Sequence, residues 1–190
     1  TVEHRGRHLA DGRGIGIFLA GHGLRGAGNT VLESGSDGIG CEVNTPGCVD
    51  VLIAGNTVRG ADGSGILDSG QRIIVERNDV SGSRRERSSD ADGIRFFGIG
   101  ILIRDNHVHD ISDRGYPPGQ EPHTDCFQTF DNAKPVTSDV RIERNICRNV
   151  DHQCLIAEAP DLRPRRQSGL QPRRGQAARP RRRRLVADRA

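Results

Sequence analysis

The sequence has little of what helical and doubly wound domains are built from. It contains no Trp and no Met, aromatic residues make up 3% of its 190 positions, and the apolar fraction is 33%. Such a domain would need more Leu and Ala and a clearer helical spacing of apolar residues. Gly, by contrast, occurs 25 times. The composition argues against those classes, although the length is enough for one domain with a sizeable core.

Long apolar runs are also missing. No stretch approaches the roughly 18 apolar residues that a membrane span needs, so we expect no membrane insertion. The chain begins at Thr1 without a signal peptide, and we expect that processing or truncation removed its start. Lys occurs once, at Lys134, against 27 Arg, which indicates a GC-rich coding sequence more than any particular partner.

Positive charge is confined to the C-terminal part of the chain. The net charge is +3, but residues 160–190 hold eleven Arg against two Asp, so the residues before them are acidic. Residues 159–190 show no strand pattern and are predicted to be a disordered Arg/Pro-rich tail. Arg, Pro and Ala are what GC-rich DNA encodes out of frame, so we favour a truncated or frameshifted reading of this segment. The alternative is a genuine polybasic arm for nucleic acid or anionic surfaces.

A short motif around asparagine recurs along the first 158 residues. It reads AGNTV twice and then ERNDV, RDNHV and ERNIC, and the last four copies follow a short β-branched apolar run. Alternating apolar residues of this kind predict short strands. The asparagines of the five copies are Asn29, Asn56, Asn78, Asn106 and Asn145.

A second motif, DGI, alternates with the first. Its copies and variants begin at Ile15, Asp37, Ser64, Asp92, Asp125 and Gln153. The shortest repeat is 22 residues long, and insertions fall in only two places within it. Repeats of about 22 residues, with three short strands, a turn asparagine and many glycines, predict an all-β parallel solenoid whose coils stack about 4.8 Å apart.

These motifs resemble the right-handed parallel β-helix superfamily of pectate lyases, polygalacturonases, alginate-active enzymes and phage tailspikes. The resemblance covers roughly residues 14–158 and implies a right-handed, single-stranded parallel β-helix. Residues 1–13 would then be the remnant of a preceding coil and loop. The five asparagines are expected to stack as a ladder, with side-chain amides bonding coil to coil. The leucine-rich repeat signature LxxLxL is absent, and a β-propeller would need longer units of four strands.

The resemblance further implies that the DGI strand faces a groove, which is walled by the turn before that strand. The turn is six residues longer before Asp92 (GSRRERSSDA) and eleven residues longer before Asp125 (SDRGYPPGQEPHT). Loops longer than closure requires are usually functional in compact folds. These two belong to neighbouring coils, so we expect them to stand side by side above one patch of strand.

The best candidate for a site is EPHTDCFQTFD, the strand beneath the longer of these turns. Residues two and four positions after the start of each motif are expected to face inward, which leaves Arg95 and Gln128 as stacked neighbours on the groove face. The catalytic candidates are His123, Asp125, Asp92 and Arg95, and the substrate-binding candidates are Gln128, Tyr116, Arg84, Arg85 and Arg87.

Two kinds of chemistry suit these residues. Elimination from an acidic polysaccharide needs a cation that neutralises the uronate carboxylate, which Arg95 or a bound Ca²⁺ would supply, and a base, which His123 would supply at neutral pH. Alternatively, Asp92 and Asp125 form an acid/base pair for glycoside hydrolysis, since equivalent side chains of adjacent coils lie about 5 Å apart. Ca²⁺ is the one possible cofactor, with Asp92, Asp125 and Asp131 as its ligands.

Plain structural roles compete with some of these assignments. An Asp before Gly at a turn commonly caps its own backbone, as we expect of Asp37. Asp92 fits the same description. His107 and His109 follow Asn106, away from the groove, and are expected to be solvated.

The five cysteines form no CxxC metal pattern. Cys126 and Cys154 occupy the same place on successive coils and are expected within disulfide range, whereas Cys147 is expected in the core. An odd count argues against a complete disulfide framework.

Two functions from different classes remain open. The first is a secreted or cell-surface enzyme, a polysaccharide lyase or glycoside hydrolase acting on an extracellular, acidic polysaccharide. The second is a non-catalytic β-helix that binds glycan or serves as surface structure. The lengthened turns favour the enzyme, although one Tyr and no Trp leave few rings to stack on sugars. The expected partner is polysaccharide, not nucleic acid or membrane, and the oligomeric state is left open.

Overall fold

The chain forms parallel β-sheets. The structure is a computed structural model that describes residues 1–3, 14–41, 47–86, 88, 90–130 and 137–158, and none of these residues is helical. The expected all-β class with parallel strands is confirmed. A helix able to cross a lipid bilayer is therefore not found in the described part of the chain. The tail at 159–190, predicted to be disordered, lies outside it.

Seventeen strands of two to eleven residues follow one another along the described chain. They are β1 (Val2–Glu3), β2 (Ile17–Leu19), β3 (Gly21–His22), β4 (Arg25–Ala27), β5 (Thr30–Leu32), β6 (Ile39–Cys41), β7 (Cys48–Ala54), β8 (Thr57–Arg59), β9 (Ile66–Glu76), β10 (Asp79–Ser81), β11 (Ile94–Ile99), β12 (Leu102–Arg104), β13 (His107–Ile111), β14 (Phe127–Phe130), β15 (Arg141–Glu143), β16 (Ile146–Val150) and β17 (Leu155–Glu158).

The strands stack in three columns, each made of strands from the same place in successive repeats. The first column contains β2, β6, the first half of β9, β11, β14 and β17. The second contains β3 and β4, which both pair with β7, then β7, the second half of β9, β12 and β15. The long strand β9 joins these two columns into one sheet, whereas the third column, β1, β5, β8, β10, β13 and β16, is a separate six-stranded sheet.

Aliphatic side chains lie above one another inside these columns and form the core. The valine two residues after each of the first four ladder asparagines faces inward, as does the isoleucine of the three DGI motifs that begin at Asp37, Ser64 and Asp92, and all seven side chains are at most 1% exposed. They are Val31, Val58, Val80 and Val108 in the third column and Ile39, Ile66 and Ile94 in the first. The sequence motifs therefore mark the inward positions, and burial of these side chains is the main apolar contribution to stability.

The motif asparagines form the predicted ladder. Asn78 Nδ2 donates to Asn106 Oδ1 at 2.9 Å, and Asn78 Oδ1 accepts from Asn56 Nδ2 at 2.8 Å. The same bond joins Asn29 to Asn56 at 3.0 Å and Asn106 to Asn145 at 2.9 Å. Each amide also donates to a backbone carbonyl, so buried polar groups are satisfied across the whole stack.

The residue before each ladder asparagine has a left-handed backbone, which turns the chain from the second column to the third. Its φ is 67° at Gly28 and 61° at Gly55, where glycine adopts it without strain. In the later repeats φ is 53° at Arg77, 55° at Asp105 and 52° at Arg144, although these residues pay a steric penalty there. The ladder bonds and the paired strands on either side hold those turns in place.

The glycine of the DGI motif is required by close packing between the first and third columns. A Cβ added to Gly65 would lie 2.2 Å from Val80 Cγ1, and one added to Gly93 would lie 2.2 Å from Val108 Cγ1. Both distances are far inside van der Waals contact. The glycine of one motif thus makes room for the inward valine of the other.

This contact also explains the disulfides. Cys126 and Cys147 replace the glycine and the valine of one repeat, and the two side chains are joined as a disulfide. Cys41 and Cys48 form a second one, and Cys154 is an exposed free thiol. The predicted pairing of Cys126 with Cys154 is therefore wrong, because the Cys126 side chain points across the interior and not along its column. Cys147 packs against the core, as expected.

We expect Asn78→Ala to lower the free energy of unfolding by about 3 kcal/mol, because it removes the acceptor of the buried Asn56 backbone and side-chain amides and one of the donors to Asn106 Oδ1. Urea unfolding followed by circular dichroism measures this loss. The matched variant is Asn29→Ala, at a half-buried position, for which the loss should be clearly smaller. Equal losses for the two variants would contradict a continuous ladder.

One carboxyl group lies inside the core. Asp68, in β9, pairs in register with Phe96 of the next repeat and is 0% exposed. Burial raises the pKa of Asp68 well above its ordinary value, and the nearby Phe97 backbone opposes this only in part, since neither carboxylate oxygen has a hydrogen-bond partner. The folded state therefore favours the protonated form of Asp68.

We expect Asp68→Asn to stabilise the protein at neutral pH. The folded pKa exceeds the unfolded value of about 3.9, so the stability contributed by Asp68 is complete below that value and is lost as the pH rises through the folded pKa. Asn stays neutral and removes this loss. Urea unfolding between about pH 4 and about pH 8 should show a smaller decline for the variant than for the wild type.

The control for this experiment is Asp50→Asn. Asp50 is partly exposed, and its hydrogen bond with Arg72 lowers the pKa of its carboxyl group. Its contribution to folding stability is therefore lost as the pH falls, which is the opposite of what we expect for Asp68. Identical pH slopes for wild type and Asp68→Asn would contradict a buried, protonated Asp68.

Candidate functional site

The predicted groove strands, β11 and β14, lie side by side in the first column. Arg95 pairs in register with Gln128, as predicted, and Arg95 Nε donates to Gln128 Oε1 at 2.8 Å. The residues expected to face inward are at most 2% exposed, namely Ile94, Phe96, Phe127 and Thr129. The alternation of inward and outward side chains is therefore confirmed at this site.

The two motif aspartates, Asp92 and Asp125, each use one carboxylate oxygen to join neighbouring repeats. Asp92 Oδ1 accepts from the Asp125 amide at 3.1 Å, and Asp125 Oδ1 accepts from the Gln153 amide at 3.0 Å. Asp37 does the same with the Ser64 amide at 2.9 Å. The structural role expected of these aspartates is present, but it links successive repeats and is not confined to a single turn.

Their second oxygens face the outer surface. Asp92 Oδ2 pairs with Arg95, and Asp125 Oδ2 lies 2.9 Å from His123 Nδ1. Ligand atoms of Asp92, His123 and Asp125 all lie within 4.8 Å of one another. Both aspartates are 0% exposed, and burial raises the pKa of each. The pKa of Asp92 rises to about 6 against the opposing charge of Arg95, and the pKa of Asp125 rises against the opposing hydrogen bond from the Gln153 amide.

The Arg95 guanidinium is enclosed by partners. It contacts Asp90 Oδ2 at 2.9 Å, Asp92 Oδ2 and Gln128 Oε1, and it lies 5.8 Å from the centre of the Phe130 ring. Its side chain is 17% exposed. Two carboxylates therefore already balance its charge, and the arrangement suits a positioning role better than direct neutralisation of a substrate carboxylate.

His123 is the accessible group of the cluster. Its side chain is 37% exposed, whereas Asp125 behind it is fully buried. Nδ1 has two neighbours, Asp125 Oδ2 at 2.9 Å and Gln128 Nε2 at 3.3 Å. We assign the proton to Nδ1, because the carboxylate is the closer partner and an ionised acceptor gives the stronger bond. Nε2 then carries the lone pair and is the atom that can accept a proton from a ligand.

A second histidine, which the sequence did not single out, lies beside His123. The His152 ring meets the His123 ring edge to face at 5.1 Å between centroids, and His152 Nε2 lies 3.1 Å from Asp113 Oδ2. His152 directly precedes Gln153, the start of the next motif, so its place just before a motif could have indicated it. Asp90, at the end of the first lengthened turn, was likewise missed.

The two lengthened turns contact each other, as expected of neighbouring loops. The Arg85 amide donates to Tyr116 Oη at 2.9 Å, and Arg85 Nη1 donates to the Gln120 carbonyl at 2.8 Å. Arg84 instead forms ion pairs with Glu33 and Glu86, so the structure gives it partners away from the cluster. The remaining predicted residues, Arg87 and Asp131, lie outside the described residues.

The described residues do not fit a Ca²⁺ site. Calcium takes about six to eight oxygen ligands. Here Asp92 already accepts one backbone amide and pairs with Arg95, and His123 offers nitrogen. The adjacent guanidinium would also repel a cation.

Comparisons of the chain with protein-family models, with curated proteins and with solved structures found no match.

We expect Arg95→Leu to lower the free energy of unfolding by about 3 kcal/mol near pH 8, because it removes the counter-charge of the buried Asp92. The loss should be smaller near pH 5, about one unit below the pKa of Asp92, since a protonated Asp92 needs no counter-charge. Urea unfolding at the two pH values measures the difference.

The matched control is Arg144→Leu, which removes an exposed, solvent-screened pair with Asp105 and should lower the free energy of unfolding far less. A loss for Arg95→Leu that does not depend on pH would show that its ion pair with Asp92 is not what stabilises the site.

Proposed function

We propose that the chain is a right-handed parallel β-helix that acts on an extracellular, acidic polysaccharide as a lyase. Three columns of parallel strands, joined in register from repeat to repeat, are the arrangement expected of such a helix. The asparagine ladder and the inward aliphatic stacks support the same interpretation.

Two observations support an extracellular polysaccharide as the substrate. The site lies on an open sheet face beneath two turns that contact each other, so it suits a long, polar chain running across strands. The two disulfides favour an oxidising compartment, in agreement with a secreted or cell-surface protein. Tyr116 and Arg85 of the turns are the proposed sugar contacts, whereas Gln128, which is 6% exposed and accepts from Arg95, supports the site from behind.

The observation that carries the proposal is the half-exposed His123 held by the buried Asp125 at 2.9 Å. In elimination, Arg85, whose guanidinium donates to the neutral Gln120 carbonyl, neutralises the uronate carboxylate, and His123 Nε2 removes the proton next to that carboxylate. The electron pair left behind forms a carbon–carbon double bond, and the glycosidic oxygen leaves from the neighbouring carbon with a proton from water or an acidic group. Asp125 keeps the imidazole oriented and stabilises its protonated form.

Hydrolysis by Asp92 and Asp125 is the second candidate. Their oxygens lie within 4.8 Å, near the roughly 5 Å expected for a retaining glycosidase, and the pKa of about 6 at Asp92 suits a general acid. Their complete burial disfavours this alternative, since both carboxyl groups must reach the sugar. Binding without catalysis is the third possibility, and the experiment below separates all three.

We expect the chain to release products from acidic polysaccharides that absorb ultraviolet light through their new double bond. His123→Gln should lower kcat/KM about 10²- to 10⁴-fold, the usual contribution of a general base, and Asp125→Asn should lower it by less. The control is His22→Gln, which changes an exposed histidine that also pairs with an aspartate.

Other outcomes would point elsewhere. New reducing ends without ultraviolet absorbance, lost in Asp92→Asn, would show a hydrolase. Retention of the polysaccharide on a column with no product of either kind would show a binding protein. Full activity in His123→Gln would contradict the proposed base.

A further inference from the structure

A second group of metal-binding side chains lies on the six-stranded sheet, away from the candidate site. Asp79 begins β10, and His107 and His109 belong to the neighbouring strand β13. Asp79 pairs in register with His107. Because residues two apart in a strand point to the same face, both imidazoles project on the side of Asp79.

The three side chains converge on one point. His107 Nδ1 lies 3.3 Å from Asp79 Oδ2, and His109 Nε2 lies 3.4 Å from the same carboxylate. The two rings are stacked, with 4.1 Å between centroids and an angle of 20° between their planes. One ligand atom from each residue lies within 4.8 Å of the other two, which is the spacing of ligands around a single ion.

Hydrogen bonds behind His109 already orient its ring. His109 Nδ1 lies 2.7 Å from Asp110 Oδ2, and Asp110 Oδ1 accepts from Asn149 Nδ2 at 2.9 Å. Because the acceptor is a carboxylate oxygen, the bond between His109 and Asp110 places the proton on Nδ1. The lone pair of His109 Nε2 then points to Asp79. A carboxylate on the far nitrogen of a ligand histidine is typical of metal sites.

The surroundings leave the group accessible to an ion. The side chains of His107 and Asp79 are 38% and 40% exposed, and that of His109 is 18% exposed. Two arginines are nearby: Arg59 Nη2 lies 3.9 Å from Asp79 Oδ1, and Arg148 pairs in register with His109. Both arginines belong to exposed positions on the strands, so they can move away from a bound cation.

We propose that Asp79, His107 and His109 bind a divalent transition-metal ion such as Zn²⁺ or Ni²⁺, with water completing its coordination. Two imidazoles and one carboxylate suit these ions and not Ca²⁺ or Mg²⁺, which prefer oxygen ligands. Three protein ligands leave a coordination position open. Such an ion bridges β10 and β13 and so clamps two neighbouring repeats, independently of the polysaccharide site.

The test is binding of Co²⁺ and Zn²⁺ to the full chain by equilibrium dialysis, with the visible absorption of bound Co²⁺ reporting nitrogen ligands. The experiment is done in the His123→Gln variant, because Asp92, His123 and Asp125 form the other cluster that could hold an ion. We expect about one ion per chain. His107→Gln and His109→Gln should each weaken binding at least tenfold, and Asp110→Asn about 10- to 100-fold.

The matched control is His22→Gln, which removes a histidine that pairs with one aspartate and should leave binding unchanged. Circular dichroism shows whether each variant keeps its fold. Unchanged binding in a folded His107→Gln/His109→Gln double variant would overturn the proposal. Binding to the wild type that is lost completely in His123→Gln would also overturn it, because the ion would then lie in the candidate active site. Absence of binding to both the wild type and His123→Gln would overturn it as well.

Discussion

The structure depends on in-register stacking of successive repeats, and the asparagine ladder is the interaction that holds the register. Each ladder amide bonds to the next asparagine and to a backbone carbonyl, so a slip by one residue would leave buried polar groups unpaired at every repeat. The left-handed residue before each asparagine and the glycine of each DGI motif fit only in that register. Residues at the same motif position in neighbouring repeats therefore lie next to each other, although they are far apart in the sequence.

Both candidate sites follow from this stacking. Asp92 and Asp125 meet because each begins a DGI-type motif, and Asp79 meets His107 because each follows a ladder asparagine. What differs between them is burial. In the first site the carboxylates are inside and only His123 reaches solvent, which suits a proton transfer supported from behind. In the second site all three side chains are partly exposed to solvent, which suits a metal ion that keeps water molecules among its ligands.

Much of the fold could be predicted from the sequence, because a residue at a given position of the repeat has the same structural role in successive repeats. The ladder, the inward residues of the DGI strands and the pairing of Arg95 with Gln128 all followed from motif spacing. Contacts across the interior could not be read in this way. Cys126 meets Cys147 of another column, and Arg95 reaches Asp90 five residues away, since those contacts depend on how far each side chain extends and where it turns.

The most direct test of His123 as the base is a crystal structure of the chain with an acidic oligosaccharide. We expect right-handed stacking of the repeats, with a sugar ring across β11 and β14 and a ring carbon next to its carboxylate within contact distance of His123 Nε2. The Nδ1 atom should still bond to Asp125. A sugar bound on another face, or one whose uronate lies away from His123 while Asp92 or Asp125 contacts the glycosidic oxygen, would contradict the elimination that we propose.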